Sequence, residues 1–418
     1  MGTMRFLSVL TAAAMTASCA LLPGSVSVSG VIDKLNIAGA KAIFITGGPG
    51  GSPYRTQGTN DGPGLYRLNQ DHSITKVKPV DQGGKDHDDA LIPHALEVVN
   101  ADYLWLTLTN KPGVVTSADD PRMKLTGNYL VRRSDGKSVQ LNDLSRPKAD
   151  GRGNLYAVRF GNMNLKTSLV KLTPGSGDTF AISELTNPEI EEVSNPAVDR
   201  DGNLLATVRI KGPNPEGKLR LYKASGGAQI LDSSPNLNYW AGRNGKLYYT
   251  TSGAMGNARQ VSVTADGRVI IEDVKEGEYP PNGSLEVEMA DRWLVTGSGI
   301  ATLTSVTDTE IRSHRLTQVQ QIQDLKASGT HAYVLGKSPH GTNALIRFTP
   351  TTGDETVLLS DGDYEVTAFS VGRDDEPTLY ALRISDSAYV MGTIGSDGQF
   401  IIRNTSLPQR LTHIVHLQ

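Results

Sequence analysis

Asn195-Pro196-Ala197-Val198-Asp199-Arg200-Asp201-Gly202-Asn203-Leu204-Leu205-Ala206-Thr207-Val208 reads as a short apolar strand, a tight acidic turn and a second apolar strand. Gly and Asn supply the positive φ that such a hairpin needs. The same device recurs at Asp150-Gly151-Arg152-Gly153-Asn154 and at Arg243-Asn244-Gly245-Lys246, each ahead of another strand-like run. Eight such runs follow one another: Ala42–Thr46, Tyr103–Leu108, Leu155–Phe160, Leu204–Ile210, Leu247–Thr251, Trp293–Gly297, Ala332–Gly336 and Leu379–Ile384. All are rich in β-branched, aromatic or Leu side chains, the residues that suit a pleated, buried surface.

After each run a loop leads to a third strand, as at Leu65–Leu68, Tyr129–Arg132, Ser168–Leu172, Leu219–Lys223, Gln260–Val263 and Ala344–Phe348. A second turn follows, such as Ser134-Asp135-Gly136 or Ala265-Asp266-Gly267, and then a fourth strand. Residues 41–418 shared among eight units give about 47 residues per unit, the length of a propeller blade. The expected fold is therefore an all-β, eight-bladed β-propeller. Seven blades is the alternative, because the unit at 291–317 has a poorly marked third strand, and an array of β-sandwiches is a more distant one. The spare run Thr412-His413-Ile414-Val415-His416-Leu417 is expected to pair beside Ala42–Thr46, so that the N- and C-terminal strands close the ring within one blade. That pairing removes the open edge that would otherwise invite aggregation.

The chain has 418 residues, 38% of them hydrophobic, with 44 Gly, 21 Pro and a net charge of −3. Apolar runs recur without a long gap, which excludes a disordered chain. The charge balance and the lack of a basic stripe give no footprint for nucleic acid. Cys19 is the only cysteine, so disulfides and cysteine-based metal sites cannot hold the fold.

Arg5 followed by the apolar run Phe6–Ala17 has the form of an export signal, too short to span a bilayer. Its end, Thr16-Ala17-Ser18-Cys19, resembles the lipobox of bacterial lipoproteins. That resemblance implies acylation of Cys19, cleavage before it, and a lipid bilayer as partner through the acylated cysteine. Ala20 then favours the outer membrane if the source is Gram-negative. An ordinary cleaved signal peptide with an incidental cysteine is the alternative. The expected division is a signal peptide at 1–18, a tether at 19–35 and one propeller domain at 36–418.

The blade phrase at 195–204, echoed at Asp150–Tyr156 and Asn244–Tyr249, resembles the signature of the NHL and gluconolactonase-like propeller superfamily. It implies the fold and no particular activity. The Ala-Leu-Asp, Thr-Gly and Trp repeat of the eight-bladed outer-membrane assembly factors is missing here, so their function is not carried over.

In a four-stranded meander, the loops after second strands and between blades share one face. The longest connections lie there: Gly47–Gly64, Thr109–Gly127 and Asp81–Pro93, over blades one and two. Long loops on a rigid scaffold usually carry function. Tyr54, Arg55 and Asp61 on the first, and Asp86, His87, Asp88, Asp89 and His94 on the third, are the candidate partner-binding residues. The acidic group with its two histidines has no spacing of a known metal site, and the acidic turns lack the EF-hand pattern, so no metal is expected. Gly47-Gly48-Pro49-Gly50-Gly51 is neither a P-loop nor a dinucleotide fingerprint, and no cofactor is expected. No nucleophile elbow occurs, and no catalytic residue is assigned. Trp105, Trp240 and Trp293 sit in or beside strand cores and are expected to pack blades. The reading is an exported, membrane-anchored binding or scaffolding module for a protein or glycan. The alternative is a propeller enzyme (lactonase, lyase or glycan-processing hydrolase) drawing on the channel mouth, with His94, Glu286, Glu288 and Asp324 in reach.

Overall fold

The computed structural model describes residues 32–47, 64–87, 90–111, 120–161, 166–175, 180–187, 189–211, 217–234, 237–242, 245–251, 258–274, 286–289, 292–296, 301–307, 311–360, 362–372, 375–395, 399–405, 407 and 410–417. Eight antiparallel sheets of four strands, one of them with its innermost strand split in two, form an eight-bladed β-propeller. The second strands of blades one to eight are Ala42–Gly47, Tyr103–Asn110, Leu155–Phe160, Leu204–Ile210, Leu247–Thr250, Trp293–Thr296, His331–Lys337 and Pro377–Arg383. These are the eight expected runs. The unit whose third strand was poorly marked has one, Thr302–Val306, paired with both Trp293–Thr296 and Ile311–Arg315. That settles the count at eight. Among the described residues, one 3-10 turn, Pro121–Leu125, stands between the strands.

Successive side chains on a strand point to opposite faces, and here both faces are covered by a neighbouring blade. In blade three, Leu155 and Ala157 join the cluster shared with blade two, while Tyr156 and Val158 join the one shared with blade four. In blade four, Leu204 and Ala206 face blade three and Leu205 faces blade five. A strand buried on both sides has to be apolar throughout, which is why the signal in the sequence is a continuous run. Trp105 and Trp240 are buried in this packing.

Closure occurs where it was expected. Arg410–His416 is the innermost strand of blade one, with Ala42 opposite His416, Ile43 opposite Val415 and Phe44 opposite Ile414. Two further bonds fix this strand from either side. The Leu411 N–H donates to the Tyr380 hydroxyl of blade eight at 2.9 Å, and Arg133 of blade two donates to the His416 carbonyl at 2.7 Å.

The folded body includes residues that were expected in the tether. Residues 32–35 were assigned to the tether, yet Ile32 and Leu35 are fully buried, and Lys34–Leu35 pairs with Pro79–Val80. Leu35 N–H donates to the Gly136 carbonyl, and the Ser138 hydroxyl donates to the Ile32 carbonyl. The segment is a strap across the outer edges of blades one and two. Its apolar residues, Ile32, Leu35 and Ile37, explain the docking, because leaving them in water would forgo the burial they gain.

The acidic turns work through their aspartates. Asp199 accepts from the N–H groups of Asp201 and Asn203 with one oxygen and from the Asn203 amide with the other. Asp150 repeats the pattern and also accepts from the Tyr156 hydroxyl at 3.0 Å. Adjacent turns are then linked: Gly151 N–H donates to the Arg200 carbonyl, and Arg200 N–H to that of Gly245. Gly202 is required twice over. Its φ is +87°, and a Cβ there would sit 2.8 Å from the Tyr156 hydroxyl and 2.9 Å from Asp150 Oδ2. Gly267 has a similar φ of +80° with open space around it. Gly267→Ala is expected to cost only the left-handed backbone penalty, about 1–2 kcal/mol. Gly202→Ala should cost clearly more, because the turn has to move. Urea midpoints of the two variants measure the difference.

Candidate functional site at the channel mouth

The eight innermost strands wall a central cavity of about 1640 Å3. Its lining comes from the last residues of these strands and from the turns that follow them, including Glu97–Ala101, Arg146–Ala149, Asn195–Val198, Asn238–Gly242, Asp324–Gly329, Ser370–Gly372 and Ile414–His416. The cavity therefore opens on the face of the short turns, opposite the face of the long loops.

Polar groups around this mouth bind across blade boundaries. Arg146 of blade three pairs with Glu97 of blade two. Tyr239 of blade five bonds to the Ser194 hydroxyl and donates to the Asn195 carbonyl of blade four at 2.8 Å. Lys326 of blade seven pairs with Asp324 at 3.1 Å, donates to the Phe369 carbonyl of blade eight and lies 4.6 Å from the Phe369 ring centre. Ser328 donates to the Gly372 carbonyl at 2.7 Å. Arg133 reaches both the Asn100 and the His416 carbonyls. Arg133, Arg146, Lys148 and Lys326 stand against Glu97 and Asp324, so the described mouth carries an excess of positive charge. Burial lowers the pKa of Arg146 from its ordinary value; a guanidinium keeps its proton at neutral pH all the same.

The sequence candidates are distributed as follows. Cys19, Tyr54, Arg55, Asp61, Asp88 and Asp89 lie outside the described residues. His87 is buried, with Nε2 2.8 Å from Asp81 Oδ2, and its N–H donates to the Pro79 carbonyl. Asp86 pairs with Lys78 at 2.7 Å. Both hold the connection between blades one and two in shape. His94 is exposed on a β-bulge of the innermost strand of blade two, where the register shifts between Pro93 and Ala95. Bulges re-aim side chains, yet the cavity lining begins only at Leu96. Asp324 is in the lining; the Glu286 and Glu288 side chains lie outside the described residues. Among the described residues no three His, Cys, Asp or Glu side chains are placed to hold a metal.

Sequence reading missed Arg133, Arg146, Lys148 and Lys326, because each blade contributes one or two residues and no local motif joins them. Aligning the blades on their first turns would have placed Lys148 and Lys326 at the same height, opposite Tyr156 and Tyr333.

No protein-family model matches the sequence, and no curated protein matches it. Solved structures do match. A puromycin hydrolase is 16% identical, with a TM-score of 0.41 over 87% of this chain and 59% of that one. Apo AztD from Citrobacter koseri is 12% identical, with a TM-score of 0.49 over 92% of this chain and 97% of that one. A putative 6-phosphogluconolactonase from Bacteroides uniformis is 12% identical, with a TM-score of 0.34 over 76% of this chain and all of that one. The chain spans about three fifths of the length of the puromycin hydrolase. The likeness to these structures is one of fold alone.

The Asp81 carboxyl is held below its ordinary value, first by the hydrogen bond from His87 and then by the Lys85 N–H. A carboxyl depressed in the folded state adds stability that is present above its unfolded pKa, about 3.9, and lost as pH falls through the folded one. Asp81→Asn should therefore be less stable than the parent at pH 7, with the gap closing below about pH 4. Denaturant midpoints of both proteins across that range check it; a gap that stays constant with pH would contradict it.

Proposed function

We propose that this protein is an exported, lipid-anchored binding module that seats a segment of a partner protein in its channel mouth. The mouth cavity of about 1640 Å3 carries the reading. Small-molecule sites usually measure about 300–1,000 Å3, so this one suits a length of chain better than a metabolite. Its lining also favours peptide over glycan. Sugar recognition relies on exposed aromatic faces, whereas Trp240 is buried against Tyr248 and the Tyr239 hydroxyl is spent on blade four. What the mouth offers instead is charge of both signs and backbone groups at the ends of eight strands, the complement of an extended polar peptide. Loops on the opposite face leave room for a second contact.

Anchoring rests on Thr16-Ala17-Ser18-Cys19. Acylation there would hold the ring close to a bilayer, with two or more chains giving stable attachment. Ile32 is already buried in the propeller, so about a dozen residues separate it from Cys19, a reach of at most roughly 40 Å.

A photo-crosslinking residue placed in cells at Asn238 or Ser328, on the mouth, is expected to trap one discrete protein adduct. The same residue at Ile401, on an outer strand, is expected to trap none, and Lys326→Glu with Arg146→Glu should abolish the mouth adduct. Equal labelling from mouth and rim would overturn the channel reading. Mass spectrometry of the mature N-terminus tests the anchor separately: an unmodified Cys19, or cleavage elsewhere, would overturn that part alone.

A further inference from the structure

A second cavity of about 240 Å3 lies between blades three and four, away from the channel. Its walls are two sheets that face one another. From blade three come Tyr156 and Lys171, which are paired across adjacent strands. From blade four come Arg220 and Tyr222, two residues apart on Gly217–Tyr222 and so on one face of it. Leu185, Leu204, Ala224 and Ala228 supply an apolar lining, and Gly226 and Gly227 form a rim where a side chain would meet nothing within 4 Å.

Three polar groups in this cleft have capacity to spare. Tyr222 is only 5% exposed, and its buried hydroxyl has no hydrogen-bond partner among the described residues. The buried Nε of Arg220 has none either. Neither Arg220 nor Lys171 takes part in an ion pair among the described residues; each sits beside a tyrosine ring instead, at 5.4 and 5.9 Å from its centre. The two nearby carboxylates are committed elsewhere. Asp150 is occupied by Tyr156, Asn154 and backbone N–H groups, and Asp199 by Asn203 and its own turn. Burial holds the Tyr222 phenol protonated, with a pKa pushed up to about 12, so at neutral pH it can donate.

Buried donors without partners are costly, and native proteins rarely keep them without a use. Two cations from opposite walls repel one another unless an anion lies between them. We propose that this cleft binds a small anionic solute, one bearing a carboxylate or a phosphate, whose oxygens accept from Arg220, Lys171 and Tyr222. A volume on the order of eight water molecules admits a small acid or phosphate ester and excludes a nucleotide.

Isothermal titration of the full chain with inorganic phosphate and with D-glucuronate, at ionic strength matched by chloride, tests this. At least one anion is expected to bind saturably at one site. Arg220→Gln and Lys171→Gln should each weaken it about tenfold or more, as loss of a charged hydrogen bond does. Tyr222→Phe should weaken it several-fold while leaving the unfolding midpoint in chloride unchanged or higher, since it deletes a hydroxyl without a partner. The preferred anion separates phosphate from carboxylate recognition. Failure of both anions to bind, equal binding by parent and variants, or a Tyr222→Phe protein destabilised in chloride would each overturn the proposal.

Discussion

Pairing of Arg410–His416 with Ala42–Gly47 is the constraint on which the ring depends. Seven blades are continuous stretches of chain; blade one alone is assembled from both ends. A sheet edge left open at that seam would expose unpaired N–H and C=O groups, and the apolar faces of blades eight and one would lose their partners. The seam is therefore fastened from several directions. Tyr380 and Arg133 hold the last strand from the flanking blades, and the strap at Ile32–Ile37 ties the outer edges of blades one and two. Since Leu411 packs against blade eight and Val415 against blade two, slipping the strand by one residue would swap their faces and put polar neighbours in their places.

Legibility followed how local each signal was. The second strands stood out because burial on both faces demands uninterrupted apolar runs, and the first turns stood out because Asp, Gly and Asn have to sit at fixed offsets to close them. The C-terminal strand was legible as a run with no unit of its own. Thr302–Val306 was harder: Thr-Leu-Thr-Ser-Val carries three hydroxyl residues in five, and Ser305 is nonetheless buried. The docking of residues 32–35 was hard to read because Ile32, Leu35 and Ile37 are scattered among polar residues, and their burial depends on blades one and two being present.

The functional residues were less legible for a related reason. Asp86 and His87 looked dense with ligands in sequence, but their bonds run to Lys78 and Asp81, inside the same connection. Density along the chain there reflects a loop bracing itself. The charged groups at the mouth lie on separate blades and meet only when the ring closes, and Lys171 and Arg220 line the blade three and four cleft from separate sheets. In a propeller, chemistry that matters is collected across repeats, while motifs within a repeat mostly build the repeat.

The ring's rigidity, its mouth and the cleft all presuppose that the terminal strand is as firmly held as any other. Native-state hydrogen exchange measures this directly. Amides of residues 410–416 and 42–47 are expected to exchange with the same protection as those of Leu204–Ile210 in blade four, by global unfolding. Exchange of the 410–416 amides many-fold faster than the blade-four amides would show that the seam opens on its own, and would contradict the account.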